Sequence, residues 1–184
     1  MVEILTKRLA LTPLVAADAP ALFAYSSNAA VSKYQAWEPS SLEDAYAYIN
    51  EPLEFDVPGT WFQLGIRDRA SDLLIGDLAV HFLTDDPHQS EIGFAVAPNH
   101  QGRGFATEAV IGLIGYLFAT AKKHRVFASV DPTNAPSMAL LRRVGMRQEA
   151  HFQQSLWWKG QWVDDVIFGV LASEWEDRRT TLTD

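Results

Sequence analysis

The stretch of this chain with the clearest chemistry is Gln101-Gly102-Arg103-Gly104-Phe105-Ala106-Thr107. It joins a strand-like run, residues 91–96, to a long helical pattern that begins near Gly104. Glycines let the backbone approach a ligand closely, and the N–H groups of a first helical turn have no acceptor within the helix, so they favour phosphate. The guanidinium of Arg103 adds a charge-assisted contact. The sequence therefore predicts a phosphate cradle at this strand-to-helix turn.

Two common nucleotide-binding motifs are excluded at this position. A dinucleotide fingerprint requires a third glycine where Thr107 stands and an acidic residue about twenty positions further on, and the chain has neither. A Walker-type loop requires Gly-Lys-Ser/Thr, which the chain does not have in such a context. The cradle is therefore expected to serve another phosphate-bearing ligand.

The cradle resembles the acyl-CoA-binding signature of the GNAT superfamily of N-acetyltransferases, Gln/Arg-x-x-Gly-x-Gly/Ala. Gln101, Gly104 and Ala106 match that signature. The resemblance continues in a second group of residues, which have the spacing of the family's next helix and strand. These are Asn134-Ala-Pro-Ser137, Leu141 and Gly145-Met146.

Both ends of the chain resemble the RimJ/RimL branch of that superfamily, which acetylates N-terminal amines of ribosomal proteins, among other substrates. The residues that carry this resemblance are Lys7-Arg8-Leu9-x-Leu11, Gly160-x-Trp162-x-Asp164 and Glu174-Trp175. The resemblance thus runs from Lys7 to Trp175, nearly the whole chain.

The resemblance implies that acetyl-CoA is the cosubstrate and that a primary amine attacks its thioester directly, with no covalent enzyme intermediate. An α-amine has a pKa near 8, so about a tenth of it is already neutral at pH 7 and a modest base suffices. The residues implied to bind acetyl-CoA are Phe94, Val96, Gln101, Gly102, Arg103, Gly104, Phe105, Ala106, Thr107, Asn134 and Ser137.

Three residues are implied to act in catalysis: Glu91, Asn134 and Ser137. An acid in the strand that Glu91 opens often serves this family as general base, although a strand glutamate is ordinarily a surface residue. Asn or Ser at a helix start is ordinarily a cap. The resemblance nevertheless implies that Asn134 contacts the pantetheine arm and that Ser137 hydrogen-bonds the departing sulfur.

This chain departs from the common family pattern at Leu141, where many members carry a tyrosine that acts as the acid. Ser137 is the substitute candidate, and a thiolate whose conjugate thiol has a pKa near 8.5 can also leave unaided. The acceptor that the resemblance favours is a protein N-terminal amine. A small amine such as a polyamine, amino sugar or amino acid is the first alternative, and a non-catalytic acyl-CoA-binding module is the second.

The 184 residues predict one GNAT domain, of α/β (α+β) class, with a mixed and mostly antiparallel sheet flanked by helices. Asp18 caps a predicted first helix, and the middle of the chain is predicted to form an antiparallel meander. The predicted helices are 18–27, 42–50, from 104 onward and 135–144; the predicted strands are 9–11, 60–67, 74–83, 91–96, 126–130, 146–155 and 163–171.

Composition narrows the function further. Fifteen Lys and Arg against 23 Asp and Glu leave a net charge of −8, which argues against a non-specific nucleic-acid surface. The negative charge suits a cationic acceptor, although an acidic surface that serves only solubility would have the same composition. The chain has no cysteine, so disulfides and a cysteine nucleophile are excluded. Its five histidines have no metal-ligand spacing, so no metal site is expected and each is interpreted as surface or as satisfied core.

No membrane partner is expected, because the longest uncharged run, Ala109 to Ala121, is too short to span a bilayer. Thr12-Pro13 and Asp18 interrupt the early apolar run, so we interpret it as a strand and turn of a cytoplasmic protein and not as a secretory signal.

Aromatic residues outside these motifs have more than one interpretation. Tyr34 and Trp37 either line a substrate cleft or pack under a loop, and Trp157, Trp158 and Trp162 either pack on the sheet, frame the amine site or form a homodimer contact. Asp164 or Asp165 is a candidate for recognising a cationic substrate.

Overall fold

The computed structural model describes residues 2–51 and 54–175. The strands of the described chain are β1 (Ile4–Leu5), β2 (Leu9–Pro13), β3 (Trp61–Asp68), β4 (Leu73–Phe82), β5 (Gln89–Val96), β6 (Arg125–Val130), β7 (Arg147–Trp158) and β8 (Gln161–Leu171). The helices are α1 (Ala19–Ser26), α2 (Ala29–Ser32), α3 (Leu42–Asn50), α4 (Phe105–Ala119) and α5 (Ala135–Arg143).

These strands form one sheet in the order β1-β2-β3-β4-β5-β6-β8-β7. Every neighbouring pair is antiparallel except β5 and β6, which are parallel. The predicted fold class is thus confirmed, and so is the antiparallel meander, which consists of β3, β4 and β5. A chain that crosses from β5 through α4 to a parallel β6 puts the predicted cradle at the start of the crossover helix.

Helices cover both faces of the sheet. Ile92 and Val96 of β5 belong to the larger core, which also holds the buried side of α4, whereas Ala95 belongs to a smaller core with Leu22 of α1 and Ala45 of α3. Since alternate residues of a strand point to opposite faces, α4 lies on one face and α1 and α3 lie on the other.

The sequence pattern locates most elements within three residues but misses some short or polar ones. It does not predict β1 or α2, because two and four residues carry no usable periodicity. It also ends the last hairpin too early: the ladder continues to the pairs Trp157↔Trp162 and Trp158↔Gln161. The turn is Lys159-Gly160, with both φ angles positive, at 44° and 85°.

The feature that positions the site is a separation of two neighbouring strands. Residues of β5 and β6 pair from Gln89↔Arg125 only as far as Glu91↔Phe127, although β5 continues to Val96 and β6 to Val130. The two strands therefore part beyond Glu91 and leave an opening in the middle of the sheet.

Of the helices in the described ranges, none has the length and apolar character needed to cross a membrane.

Candidate active site

A cavity of about 640 Å³ lies at the opening between β5 and β6. Four of the residues implied by the resemblance line it: Glu91 and Phe94 from β5, and Asn134 and Ser137 from the start of α5. The lining does not include Val96 or residues 101–107, which lie further along the chain from β5 toward α4. The structure thus brings the implied catalytic residues together around one cavity.

The predicted cradle is the N-terminal turn of α4. Gly104 is the N-cap residue with a φ of 78°, and Gly102 has a φ of 72°; both values lie in the left-handed region that favours glycine. The first amide that donates along the helix is that of Glu108, to the Gly104 carbonyl at 3.0 Å. The amides of residues 105–107 therefore have no acceptor within the helix, as an anion site requires.

Two polar side chains of the cradle contact other parts of the same turn. Gln101 Nε2 donates to the Val96 carbonyl at 2.9 Å, which ties the loop to the end of β5. The Arg103 guanidinium lies 4.8 Å from the centre of the Phe105 ring. Gln101 therefore has a structural role in shaping the loop whether or not it also contacts a ligand.

Two further arginines surround the cradle, and the sequence analysis did not assign them a role there. Arg8 Nε donates to Glu108 Oε2 at 2.6 Å and Nη1 to the Arg103 carbonyl at 3.0 Å, while its guanidinium covers the Phe105 ring. Arg143 Nη1 donates to Thr107 Oγ1 at 3.4 Å. Both lie far from the cradle in sequence, so no local motif contains them.

Two glutamine side chains donate hydrogen bonds to backbone carbonyls along the open edge of β5. Gln35 Nε2 donates to the Phe94 carbonyl at 3.4 Å, and Gln101 Nε2 to the Val96 carbonyl. In an extended strand the N–H and C=O of one residue point to the same side, so the amides of Phe94 and Val96 also face the opening. They are suited to bind the carbonyl oxygens of an extended ligand.

Glu91 lies at the point where the two strands part, and its side chain is 23% exposed. Burial raises its pKa to about 7, and the negative charge of Asp165 contributes to the same shift. A carboxyl group with this pKa is partly ionised at neutral pH and can both accept and release a proton.

His81 is a neighbour of Glu91 that the sequence analysis interpreted as surface or satisfied core. It pairs with Glu91 across β4 and β5, and its Nδ1 lies 3.7 Å from Glu91 Oε2. Within the described residues this buried Nδ1 has no hydrogen-bond partner, and the ring stacks on Trp61 at a centroid distance of 4.7 Å. The interpretation was therefore wrong for His81, because its unsatisfied nitrogen faces a cavity-lining carboxyl group.

Asn134 and Ser137 form the cap of α5 that their residue types favour. Asn134 Oδ1 accepts from the Ser137 amide at 3.2 Å. Both residues also line the cavity, so capping and ligand contact are compatible at this position. Leu141, by contrast, is fully buried in the larger core and offers the cavity nothing.

The wall of the cavity opposite α5 comes from α1, α3, β3 and β4, and sequence reasoning found little of it. Trp37 and Tyr34 line the cavity, which selects the cleft interpretation for both. Trp37 stacks on Tyr48 with ring centroids 4.2 Å apart. Asp77 lies on the same side and accepts a hydrogen bond from the Tyr25 hydroxyl at 2.7 Å. The available signal was the strand pattern itself, since Asp77 and His81 share one face of an otherwise apolar strand.

The β7–β8 hairpin forms part of the rim. Trp158 lines the cavity. Trp157 and Trp162 are 58% and 59% exposed and pack on each other across the hairpin, with ring centroids 5.3 Å apart. Lys159 at the tip donates to the Ser32 carbonyl and to Glu38 Oε2, both at 2.8 Å, which ties the hairpin to α2 and the loop after it. Asp164 lines the cavity and accepts from the Gln154 amide, which lowers its pKa.

Comparisons with known proteins agree with this geometry. The family model described as an acetyltransferase (GNAT) domain matches residues 8–147. The uncharacterized N-acetyltransferase YnaD of Bacillus subtilis is 32% identical over 173 residues, which cover 94% of this chain and 99% of that protein. The [ribosomal protein uS5]-alanine N-acetyltransferase of Escherichia coli is 29% identical over 142 residues, which cover 77% of this chain and 72% of that protein.

A crystal structure of a GNAT-family acetyltransferase from Bacillus anthracis superposes with a TM-score of 0.84 at 25% identity, covering 94% of this chain and all of that one. Sequence and fold thus agree over nearly the whole described chain. The protein therefore belongs to the GNAT family and is an acyl-CoA-dependent N-acetyltransferase.

Proposed function

We propose that this protein acetylates the N-terminal α-amine of a protein or peptide, with acetyl-CoA bound at the cradle as the acyl donor. The observation that carries the proposal is Glu91, a cavity-lining carboxyl group whose pKa is raised by burial to about 7. It lies where β5 and β6 part, on the strand that leads into the cradle.

The pKa of Glu91 favours an α-amine over an alkyl amine as acceptor. An α-amine has a pKa near 8, whereas a lysine-type amine has a pKa near 10.4. At neutral pH, about a tenth of the α-amine is neutral but well under a hundredth of the alkyl amine. A base with a pKa near 7 is therefore matched to the α-amine, from which it removes the proton directly or through one water.

The cradle supports acetyl-CoA as donor. Positive φ at Gly102 and Gly104 lets the backbone reach the pyrophosphate, and the amides of residues 105–107 together with the guanidinium of Arg103 supply its hydrogen bonds. The amides of Phe94 and Val96 then bind the pantetheine arm, which directs the thioester into the opening beside Glu91.

The leaving thiolate departs near the start of α5. Ser137 lines the cavity, and we assign its hydroxyl a hydrogen bond to the departing sulfur, with Asn134 holding the pantetheine arm. No strong acid is needed, because a thiolate whose conjugate thiol has a pKa near 8.5 is a tolerable leaving group at neutral pH.

The charge of the cavity supports a cationic acceptor. Its carboxylates are Glu51, Asp77, Glu91, Asp131 and Asp164. None of the described residues that line it is a lysine or an arginine. Such a cavity attracts a protonated amine before Glu91 deprotonates it.

The test is thiol release from acetyl-CoA with matched acceptors: a peptide with a free N-terminus and no lysine, the same peptide with a blocked N-terminus and one lysine, spermidine, an amino sugar and a free amino acid. We expect turnover with the first peptide and not with the second. Turnover only with the small amines would replace the proposed acceptor.

A binding measurement separates the remaining alternative. Acetyl-CoA at a hundred times its Kd should add about 2.7 kcal/mol to the free energy of unfolding. Stabilisation of this size without thiol release from any acceptor would identify a non-catalytic acyl-CoA-binding module. No stabilisation at all would contradict the placement of acetyl-CoA in the cradle.

A further inference from the structure

Asp77 is a cavity-lining carboxylate that pairs with no cationic side chain in the described part of the chain. It lies on β4 and pairs with Ala95 of β5, on the face of the sheet that α1 and α3 cover. Its Oδ1 accepts from the Tyr25 hydroxyl at 2.7 Å. Among the described residues no lysine, arginine or histidine forms an ion pair with it, although buried charges in proteins are ordinarily paired.

Aromatic residues line the same cavity as this carboxylate. Trp37 and Tyr48 line the same cavity, and their rings stack at an interplanar angle of 17°. Tyr48 is close enough to Asp77 for the carboxylate to raise the pKa of its hydroxyl, after burial as the larger cause. A cavity that combines a carboxylate with aromatic side chains is a favourable environment for an ammonium or guanidinium group.

A purely structural role accounts poorly for this arrangement. Tyr25 needs only a hydrogen-bond acceptor, which a neutral asparagine would also provide. The surroundings disfavour the charged form, since burial raises the pKa of Asp77 to about 6. A cation that arrives with the substrate would supply the countercharge that the described chain lacks.

Within the function proposed above, we infer that Asp77, with Trp37 and Tyr48, forms a subsite for a lysine or arginine side chain within the first few residues of the acceptor peptide. Asp77 is four residues along β4 from His81, which pairs with Glu91, so the backbone positions of Asp77 and Glu91 are offset by roughly 13 Å along the strands. A peptide with its α-amine at Glu91 could reach Asp77 with a long basic side chain from its second, third or fourth residue.

The test compares peptides that contain arginine with peptides that contain citrulline, its neutral isostere, at positions 2, 3 and 4. Neither side chain accepts an acetyl group in place of the α-amine. We expect kcat/KM of the wild-type protein to be about ten- to a hundredfold higher for arginine at one of these positions, as for a hydrogen-bonded charge pair. A ratio near one at every position would overturn the inference.

Two variants assign the effect to the carboxylate. Asp77→Asn keeps the acceptor for Tyr25 and should reduce the arginine-to-citrulline ratio to near one. Tyr25→Phe removes the same hydrogen bond but keeps the carboxylate, and should preserve the ratio. An unchanged ratio in Asp77→Asn, or an equal loss of the ratio in both variants, would overturn the subsite.

The experiment distinguishes a failure of the Asp77 subsite from a failure of the proposed function. If citrulline peptides are acetylated but charge at no position matters, the proposed function stands and the subsite is wrong. If the wild-type protein acetylates none of these peptides but acetylates free diamines, the proposed acceptor is wrong and the subsite within it falls too.

Discussion

The candidate site has two halves, the cradle at the start of α4 and the cavity between β5 and β6, and they present different groups to the proposed ligands. The cradle half is one contiguous stretch, residues 101–107, in which two glycines in the left-handed region precede the free backbone amides of the first helical turn. The acceptor half consists of side chains from separate elements, among them Trp37, Tyr48, Asp77 and Glu91. Backbone recognition leaves a short signature in the sequence, whereas recognition by dispersed side chains leaves none.

The halves also differ in charge. Three guanidinium groups, from Arg8, Arg103 and Arg143, surround the start of α4, and carboxylates line the cavity. Under the proposed function, the guanidinium groups would attract the anionic cosubstrate and the carboxylates a cationic acceptor.

The largest expected effect is the loss of acetyl-CoA binding on Gly104→Val. A β-branched residue is strained at a φ of 78°, and its side chain would stand where the backbone meets phosphate. We expect the affinity measured by calorimetry to fall more than about a hundredfold, which corresponds to the loss of about 3 kcal/mol.

The matched control for this variant is Gly160→Val. Gly160 has a similar φ of 85° in the β7–β8 turn, and a Cβ there would meet no atom within 4 Å. The control should lose comparable stability and keep its affinity for acetyl-CoA. An equal loss of affinity in the two variants would show that backbone strain, and not the position of Gly104 in the cradle, explains the effect. Wild-type affinity in both variants would contradict the cradle.

Glu91→Gln should affect the acceptor half alone. We expect kcat to fall by about a hundred- to a thousandfold, as for loss of a general base, with acetyl-CoA affinity unchanged. The wild-type log kcat/KM should rise with slope 1 up to the pKa of Glu91, near 7, because the ionised carboxylate must accept the proton of the bound amine, and should then level off. In the variant the amine must lose its proton to solvent before it attacks, so the rise should continue to the pKa of the amine. A wild-type profile that also rises to the pKa of the amine would exclude Glu91 as the base.

The difference between the halves also explains how much of this molecule can be predicted from its sequence. The long helix after Gly104, the meander and the position of Glu91 follow from local patterns and from the resemblance. The contacts of Arg8 do not, because its partners Arg103 and Glu108 lie 95 and 100 residues away. The role of Asp77 cannot be predicted for another reason. A single acid in an apolar strand does not indicate a binding site until the fold shows that α1 and α3 lie over it.

Replacement of Asp77 should raise the free energy of unfolding at high pH. Its pKa is about 6 in the folded protein and near 3.8 when unfolded, so the folded state binds the extra proton between these values and stability falls as pH rises through them. The ionised carboxylate then costs up to about 3 kcal/mol above pH 6, an upper figure because the group lines a cavity.

Asparagine does not titrate and still accepts the Tyr25 hydrogen bond. Asp77→Asn should therefore melt several degrees above the wild-type protein at pH 8 and show a much smaller difference at pH 4.5, as measured by calorimetry. An equal difference at both pH values would mean that the carboxylate is not destabilised by its surroundings, which would weaken the case for an absent countercharge.

The smallest expected effect concerns Asp165, which raises the pKa of Glu91 through its charge, after burial as the larger cause. Asp165→Asn keeps the acceptor for the Ser129 hydroxyl, which donates to Oδ1 at 2.7 Å, and removes only the charge. The part of the pH profile that rises up to the pKa of Glu91 should then move to lower pH, so that kcat/KM at pH 6 increases relative to its maximum.

Asp164→Asn is the matched control, because Asp164 is the adjacent carboxylate but is not a cause of the raised pKa of Glu91. A shift in Asp165→Asn alone would assign part of the tuning of the base to one residue of β8, whereas equal shifts in both variants would attribute it to the general acidity of the cavity.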